Sequence, residues 1–254
     1  MELKPIYIPF QNIFPSLVGS LSTPEEFLKS GGRIDPKTPY GQSHKATVAL
    51  ERRIKNLHLI MHRIRLDCGI KILAGDTGQI NFLYLPIDFE TYFVWLRVIM
   101  DQIAYLTPLF YETGKEIPRD SFTVQLKWFT KTNPKFDKKY AEYLEKNMSW
   151  FSKMKEVRDD SIHRHYWAYA EVETVGKVKI KRMRGNRPLE EVESLAKTIG
   201  EYYIHLSDFS KFYEEHFKEK LLEKNKNLEY RTQSTQMVNE YFASLNYFIQ
   251  NAKE

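Results

Sequence analysis

The sequence predicts a mainly α-helical protein, a bundle of four or five helices with one inserted β-hairpin. Apolar residues recur at helical spacing over most of the 254-residue chain. Strand-like alternation is confined to residues 166–184, and six of the eleven prolines lie before residue 43, outside the helical patterns. Hydrophobic residues make up 42% of the chain and charged residues 28%, a balance that supports a sizeable core.

The chain is expected to divide into an N-terminal arm, a helical body and a C-terminal helix. Residues 1–42 contain the proline-rich stretch and are predicted to form an irregular arm that packs on the body. The body spans residues 43–222, and residues 223–254 add a helix to the same domain. The apolar residues expected to hold the arm are Ile6, Ile8, Phe10, Ile13 and Phe14.

Two long helices are expected to open the body. The first runs from Ser43 to about Leu73. The second should begin at Asp88, a residue type that caps helix N-termini, and should end near Leu106, before Pro108. The residues predicted to face inward are Ala46, Leu50, Leu57, Met61 and Ile64, followed by Phe89, Phe93, Leu96, Met100 and Ile103.

The spacing of apolar residues changes in the second half of the body. A short helix or turn is predicted at Thr123–Thr130, and a third long helix from Asp137 to about Ser161. Two strands, Tyr166–Thr174 and Lys177–Arg184, should then form the hairpin. Pro188 suits a first helical turn and is expected to open a fourth long helix.

Charge is unevenly distributed along the chain. The net charge is +5, and the segment Lys115–Arg187 holds 18 basic and 10 acidic side chains, so that the rest of the chain sums to −3. A basic segment is compatible with nucleic acid as a partner. The single cysteine, Cys68, cannot form an internal disulfide, and no apolar run reaches the roughly 18 residues of a membrane span. We therefore expect a cytoplasmic protein with no membrane partner.

One short segment is the strongest candidate for a catalytic site. Arg158-Asp159-Asp160-Ser161-Ile162-His163 places four residues between an arginine and a histidine at the end of the third predicted helix. This spacing, with a polar residue after the arginine, resembles the signature of the HEPN superfamily. The resemblance implies a helical-bundle, metal-independent endoribonuclease without a cofactor. It also implies a homodimer in which two Arg158–His163 motifs face each other across the two-fold axis.

The chemistry of RNA cleavage suggests a role for each residue of this motif. The 2′-hydroxyl of the substrate attacks the adjacent phosphorus, and His163 can transfer a proton in that step near neutral pH. Arg158 can grip the phosphate and stabilise charge on its oxygens. Asp159 precedes His163 by about one helical turn, so it can orient the imidazole. His165 also has a permitted spacing from Arg158, but it is expected to belong to the hairpin.

A competing arginine–histidine pair lies in the first predicted helix. His58 has permitted spacings from Arg52 and Arg53, but the helical pattern continues well past it. His58 and His62 also have a spacing that can bind metal. Leu59 stands where a zincin motif needs glutamate, however, so a metal site is disfavoured.

The predicted hairpin is the second informative feature. Between Gly176 and Arg187 it contains six basic residues and no acidic residue. Basic side chains beside aromatic ones are typical of single-stranded RNA binding, whereas lysines alone can simply protect an edge strand from aggregation. The candidate RNA-binding residues are Lys177, Lys179, Lys181, Arg182, Arg184 and Trp167.

The favoured function is therefore a metal-independent endoribonuclease that acts on RNA. The resemblance further implies a toxin or phage-defence role, with an antitoxin or other regulator as a partner. The alternative is a non-catalytic RNA-binding or helical interaction protein of the same fold. In a purely structural interaction protein, Arg158 would simply pair with a carboxylate.

Overall fold

The computed structural model describes backbone and secondary structure for most of the body. The described residues are 13, 14, 17, 39–70, 78–111, 113–163, 166–174, 177–184, 187–192 and 194–220. Within these ranges the side chains outside the description are those of residues 39–44, 65–70, 78–83, 160–163, 166–169, 171–174, 177, 182, 184 and 187–192. The expected C-terminal helix and most of the expected arm lie outside the described residues.

The described part of the chain is mainly α-helical, as predicted. Its α-helices are α1 (Pro39–Ile70), α2 (Gly78–Leu106), α3 (Phe122–Lys127), α4 (Lys138–Asn147), α5 (Ser149–His163) and α6 (Leu195–His216). Two 3₁₀ turns, Thr107–Phe110 and Gly114–Glu116, follow α2, and a π-helical turn, Trp128–Thr132, continues α3. Strands β1 (Tyr166–Thr174), β2 (Lys177–Arg184) and β3 (Arg187–Val192) lie between α5 and α6.

Helix α2 lies at the centre of the core and packs against α1, α5 and β1. All ten inward-facing residues predicted for the first two helices are buried, with at most 5% of each exposed. By length and composition, residues Tyr84–Phe110 also resemble a membrane span, but 61% of an apolar 18-residue stretch among them is buried inside the protein. A central core helix has the same apolar character, so the resemblance is weak.

The start of α2 differs from the prediction. The helix begins at Gly78 and continues through Pro86, so Asp88 is not its N-cap. The Asp88 carboxylate instead accepts a hydrogen bond from Arg63 Nη2 of α1 at 2.7 Å. Asp88 thus links two neighbouring helices, a long-range role that a local capping signal cannot reveal.

The third predicted helix is two helices. Asp137 begins it as predicted, because its side chain accepts a hydrogen bond from the Tyr140 amide at 2.9 Å. The helix then breaks at Met148, where φ is −102° and ψ is 18°, and α5 starts at Ser149. At the break Met148 is buried and the preceding residue, Asn147, is exposed, so Met148 occupies the core position there.

The strands form a three-stranded antiparallel sheet in the order β1-β2-β3. Its first two strands have the predicted bounds. Pro188, however, lies in β3 and does not open a helix. Because β3 is an edge strand, the missing amide hydrogen of proline is tolerated there. Helix α6 begins after Ser194, whose hydroxyl accepts a hydrogen bond from the Lys197 amide at 3.4 Å.

The described residues of the N-terminal segment are buried, and two of them bond to α6. Ile13, Phe14 and Leu17 are buried. The Phe14 amide donates to Ser210 Oγ at 2.6 Å, and the Leu17 amide donates to Glu214 Oε1 at 2.9 Å. These bonds join residues almost 200 positions apart.

Candidate functional site

The candidate motif lies at the end of α5. Phe151 and Met154 are buried and precede Arg158 at helical spacing, so they direct the Arg158 side chain toward α2, against which α5 packs. The Arg158 side chain keeps 30% of its surface exposed. His163 is the last residue of α5, and its side chain lies outside the described residues, as do those of Asp160 and Ser161.

Arg158 and Asp159 form an ion pair, but the guanidinium is only partly satisfied. Arg158 Nη1 donates to Asp159 Oδ1 at 2.7 Å, and Lys155 Nζ lies 3.6 Å from Asp159 Oδ2. Arg158 Nε is buried and has no hydrogen-bond partner among the described residues. A buried donor left without a partner costs about 1–3 kcal/mol, which a bound acceptor can recover.

Arg97 of α2 is a second arginine beside this pair, and sequence reasoning missed it. Its Nη1 donates to Thr123 Oγ1 and its Nη2 to Ser121 Oγ, both at 2.7 Å. Its Nε lies 3.0 Å from Asp101 Oδ2, and its Cζ lies 5.0 Å from the centre of the Phe151 ring. Asp101 lies one helical turn from Arg97, but the other partners lie beyond α2, so spacing along the chain does not reveal the cluster.

The charges of this cluster affect one another. Burial acts to raise the pKa of the Asp159 carboxyl, but the hydrogen bond from Arg158 and the positive charges of Lys155 and Arg97 outweigh it and lower that pKa. Burial and the charge of Arg158 lower the pKa of the Arg97 guanidinium, whereas Asp101 and Asp159 act in the opposite direction. Asp159 is therefore ionised at neutral pH and is unsuited to act as a general acid.

The competing histidine, His58, is half-buried and bonds to α6. Its Nε2 lies 2.9 Å from the hydroxyl of Tyr203 on α6, and the two rings meet edge to face. Burial lowers the pKa of His58 to about 4. The imidazole is thus neutral at pH 7 and bound within the bundle, which disfavours the Arg52–His58 and Arg53–His58 pairs as catalytic sites.

The sheet register places acidic residues opposite the basic strand. Glu171 of β1 pairs with Lys179, and Glu191 and Glu190 of β3 pair with Lys181 and Arg182. Lys179 and Lys181 are half-buried. The sequence of the hairpin alone contains no acidic residue between Gly176 and Arg187, so this compensation depends on the unanticipated third strand and on register. The side chains of Trp167, Lys177, Arg182 and Arg184 lie outside the described residues.

A histidine–carboxylate pair joins α6 to the start of α4. His216 Nε2 lies 2.7 Å from Asp137 Oδ2, and the Tyr111 hydroxyl donates to the same oxygen at 2.7 Å. Burial acts to raise the pKa of Asp137, but the hydrogen bonds from His216, the Tyr140 amide and Tyr111 lower it to about 2. His216 lies 79 residues from Asp137, so no local spacing could have predicted the pair.

Among the described residues, no group of three histidine, cysteine or carboxylate side chains is arranged to hold a metal ion. Comparison with known proteins finds no matching protein-family model, and no curated protein or solved structure with significant similarity to the chain.

Proposed function

We propose that this chain is a HEPN-like, metal-independent endoribonuclease, with Arg158 binding the scissile phosphate and His163 as general acid or base. The observation that carries the proposal is the incomplete bonding of Arg158. Its Nε is buried without a partner in the described part of the chain, while 30% of the side chain remains exposed. Part of the side chain is therefore open to solvent, while its buried Nε still lacks an acceptor.

Arg97 provides an internal comparison for this interpretation. All three nitrogens of Arg97 have partners, and only 7% of the residue is exposed, as expected of an arginine with a structural role. Arg158 lies nearby, but in contrast to Arg97 it has a single described hydrogen-bond partner, Asp159. An arginine retained in this state fits a site whose second acceptor is a substrate phosphate.

The proposed reaction needs only the RNA and this motif. His163 takes the proton of the 2′-hydroxyl, the 2′-oxygen attacks the phosphorus, and the bond from phosphorus to the 5′-oxygen breaks. The leaving 5′-oxygen takes a proton from water, and His163 gives its acquired proton to the resulting hydroxide, so that the motif returns to its starting state. Arg158 stabilises the charge that develops on the non-bridging oxygens. The products are a 2′,3′-cyclic phosphate and a 5′-hydroxyl.

The experiment is cleavage of labelled single-stranded RNA in excess EDTA. We expect the wild type to cleave, His163→Ala to lose at least about 10²-fold in rate, and Arg158→Lys to lose a similar factor because lysine lacks the planar fork. A substrate with a 2′-deoxyribose at the cleaved position should resist. The products should carry 2′,3′-cyclic phosphate ends.

His205 offers a matched control for these variants. It is exposed on α6, stacked on Trp150 with ring centres 5.8 Å apart, so His205→Ala should leave cleavage unchanged. Equal cleavage by the wild type and His163→Ala would contradict the assignment of the histidine. Cleavage of the 2′-deoxy substrate would contradict the reaction itself.

One observation favours a second candidate, a non-catalytic RNA-binding or interaction protein. Both Asp159 oxygens face cations, Arg158 at 2.7 Å and Lys155 at 3.6 Å, as in a purely structural ion pair. This candidate predicts no cleavage at any enzyme concentration. Unchanged RNA affinity in Arg158→Lys and His163→Ala would then assign RNA binding to another surface.

The proposed biological role is that of a toxin or phage-defence effector held in check by an antitoxin or other regulator. Expression of the wild type should then arrest bacterial growth, whereas His163→Ala should be tolerated. Equal growth with both proteins, at equal expression and with cleavage demonstrated in vitro, would contradict a toxin role.

A further inference from the structure

Five lysines crowd one short stretch of surface remote in sequence from the hairpin. Between residues 127 and 139 the chain carries Lys127, Lys131, Lys135, Lys138 and Lys139, and all five are exposed. We call this group the lysine ridge. It follows the chain from the end of α3, through the π-helical turn, into the first turn of α4.

The ridge is poorly compensated by acids. Lys131 and Lys138 have carboxylate partners, at 3.0 Å from Glu145 and 3.7 Å from Glu142. Lys127, Lys135 and Lys139 have no carboxylate within 4.0 Å among the residues that the structure describes. These three lysines differ from the basic residues of β2, which the sheet register sets opposite glutamates.

The single acidic residue within the ridge segment, Asp137, is committed to the interior. Its oxygens accept from the Tyr140 amide and the Tyr111 hydroxyl and lie against His216, and only 15% of its side chain is exposed. Lys138 and Lys139 stand in the first turn of α4, where the helix dipole disfavours positive charge. Lys138 is offset by Glu142, but Lys139 has no carboxylate within 4.0 Å in the described part of the chain, and an anionic partner would supply one.

A row of partly exposed aromatic rings borders the ridge. The centre of the Phe136 ring lies 5.0 Å from that of Trp128 and 5.1 Å from that of Tyr111. All three rings are only partly buried, and Lys220 Nζ lies 4.8 Å from the centre of the Tyr111 ring. Aromatic faces beside a line of lysines suit a flexible chain that carries both phosphates and planar bases.

We propose that the lysine ridge and its ring row bind single-stranded RNA, through phosphate contacts to the lysines and base contacts to Trp128. An acidic protein would match the lysines but would make no use of the rings. The proposal extends the proposed function by giving the substrate strand a second contact surface, away from the Arg158–His163 motif. It concerns binding alone, so it can fail or succeed independently of cleavage.

The test measures binding of a labelled, fully 2′-O-methylated single strand of about 12 nucleotides, which has no 2′-hydroxyl to react. The test variant is Lys127→Glu/Lys135→Glu/Lys139→Glu, and fluorescence anisotropy is followed over a range of salt concentrations. We expect at least a 10-fold loss of affinity near physiological salt and a salt slope shallower by about 2, since each lost phosphate contact removes about 0.7 from it. A separate Trp128→Leu variant should lose about 10-fold or more in affinity with an unchanged slope.

A charge-matched control uses lysines on other helices. Lys55→Glu/Lys197→Glu/Lys211→Glu makes the same change in net charge at three residues that are 51%, 73% and 66% exposed. It should retain the wild-type salt slope. Equal losses in the two triple variants would overturn the ridge as a specific surface. Displacement of RNA by poly-glutamate at an equal concentration of charge would overturn the role of the rings and point to an acidic protein.

Failure of this proposal is distinguishable from failure of the endoribonuclease. If the ridge variant binds normally while His163→Ala abolishes cleavage, the ridge is wrong and the motif stands. If the ridge variant loses binding while no protein cleaves RNA, the ridge stands and the catalytic assignment is wrong.

Discussion

The Arg97 guanidinium brings a charge into the core between α2, α3 and α5. Each of its three nitrogens contacts one oxygen partner, on Asp101, Ser121 or Thr123. Its Cζ lies over the Phe151 ring. Removing one member of such a buried set leaves the others without their partner, which is costly. The side chains that satisfy Arg97 come from separate elements, so this residue also fixes how those elements meet.

We expect Arg97→Met to lower the free energy of unfolding by about 2–4 kcal/mol, because Asp101 and the two hydroxyls lose their donor. Urea denaturation followed by circular dichroism measures the change. Lys131→Met is the control: its partner Glu145 is also more than 60% exposed, so the loss should stay below about 1 kcal/mol. Equal stability of Arg97→Met and the wild type would contradict a structural role.

The Asp137 carboxyl makes the free energy of unfolding depend on pH. Its pKa is lowered to about 2 in the folded protein, below its ordinary value of 3.8, so folding favours the ionised form. The stabilisation is complete above about pH 4 and is lost as the pH falls toward 2. The difference corresponds to a free energy on the order of 2 kcal/mol.

Asp137→Asn should therefore be less stable than the wild type at pH 5, and the gap should close toward pH 2. Urea unfolding at a series of pH values tests this expectation. Glu145→Gln, which alters an exposed pair near the same helix, should follow the wild-type pH curve. Parallel curves for Asp137→Asn and the wild type would mean that the carboxylate contributes no acid dependence.

At the scale of elements, the two 3₁₀ turns after α2 fit closely. A Cβ placed on Gly114 would lie 1.9 Å from the Pro108 carbonyl oxygen, a backbone atom. The turns Thr107–Phe110 and Gly114–Glu116 can approach this closely only with glycine at position 114.

Gly114→Ala should destabilise the protein by at least about 2 kcal/mol, because one turn must move away from the other. Thermal unfolding compared with Lys115→Ala, an exposed neighbour, checks this expectation. The Lys115 variant should change stability by less than about 0.5 kcal/mol. A Gly114→Ala protein as stable as the wild type would show that the turns can separate freely.

The elements show which parts of the fold can be predicted from sequence. Helical periodicity identified the buried stripes of α1 and α2, and alternation identified β1 and β2 with their bounds. The errors occur where a long-range contact replaces a local signal. Asp88 looks like an N-cap but bonds to Arg63, and Pro188 looks like a helix start but occupies an edge strand. The break at Met148 has no proline or glycine to mark it.

The candidate site shows the same division between local and distant information. Arg158, Asp159 and His163 share one helix end, so spacing alone could propose them. Their surroundings could not be proposed in this way. The position of Arg97 beside the motif follows from the packing of α2 on α5, and no interval along the chain encodes it.

At the scale of the whole molecule, the proposed dimer has a direct test that rests on the proposed cleavage. If each active centre takes Arg158 from one protomer and His163 from the other, a mixture of Arg158→Ala and His163→Ala proteins should regain activity after subunit exchange. Heterodimers then contain one intact centre. The readout is RNA cleavage by the mixture and by each variant alone.

A mixture no more active than its components, although subunit exchange is demonstrated by mass, would place both residues of a centre in the same protomer. Light scattering supplies the second readout. The dimer should have twice the 30.2 kDa of the chain. A monomeric mass with full activity would contradict the composite centre.

The bonds from Phe14 and Leu17 to α6 also limit when the protein can fold during its synthesis. A ribosome has made almost 200 further residues before Ser210 and Glu214 emerge to receive the amides of residues 14 and 17. Until then Tyr92 lacks its bond to the Ile199 carbonyl, and Phe14 lacks the rings of Phe209 and Tyr213. These side chains therefore complete their packing only when α6 has been made. If the proposed cleavage needs the folded body, it begins only after Ser210 and Glu214 have left the ribosome.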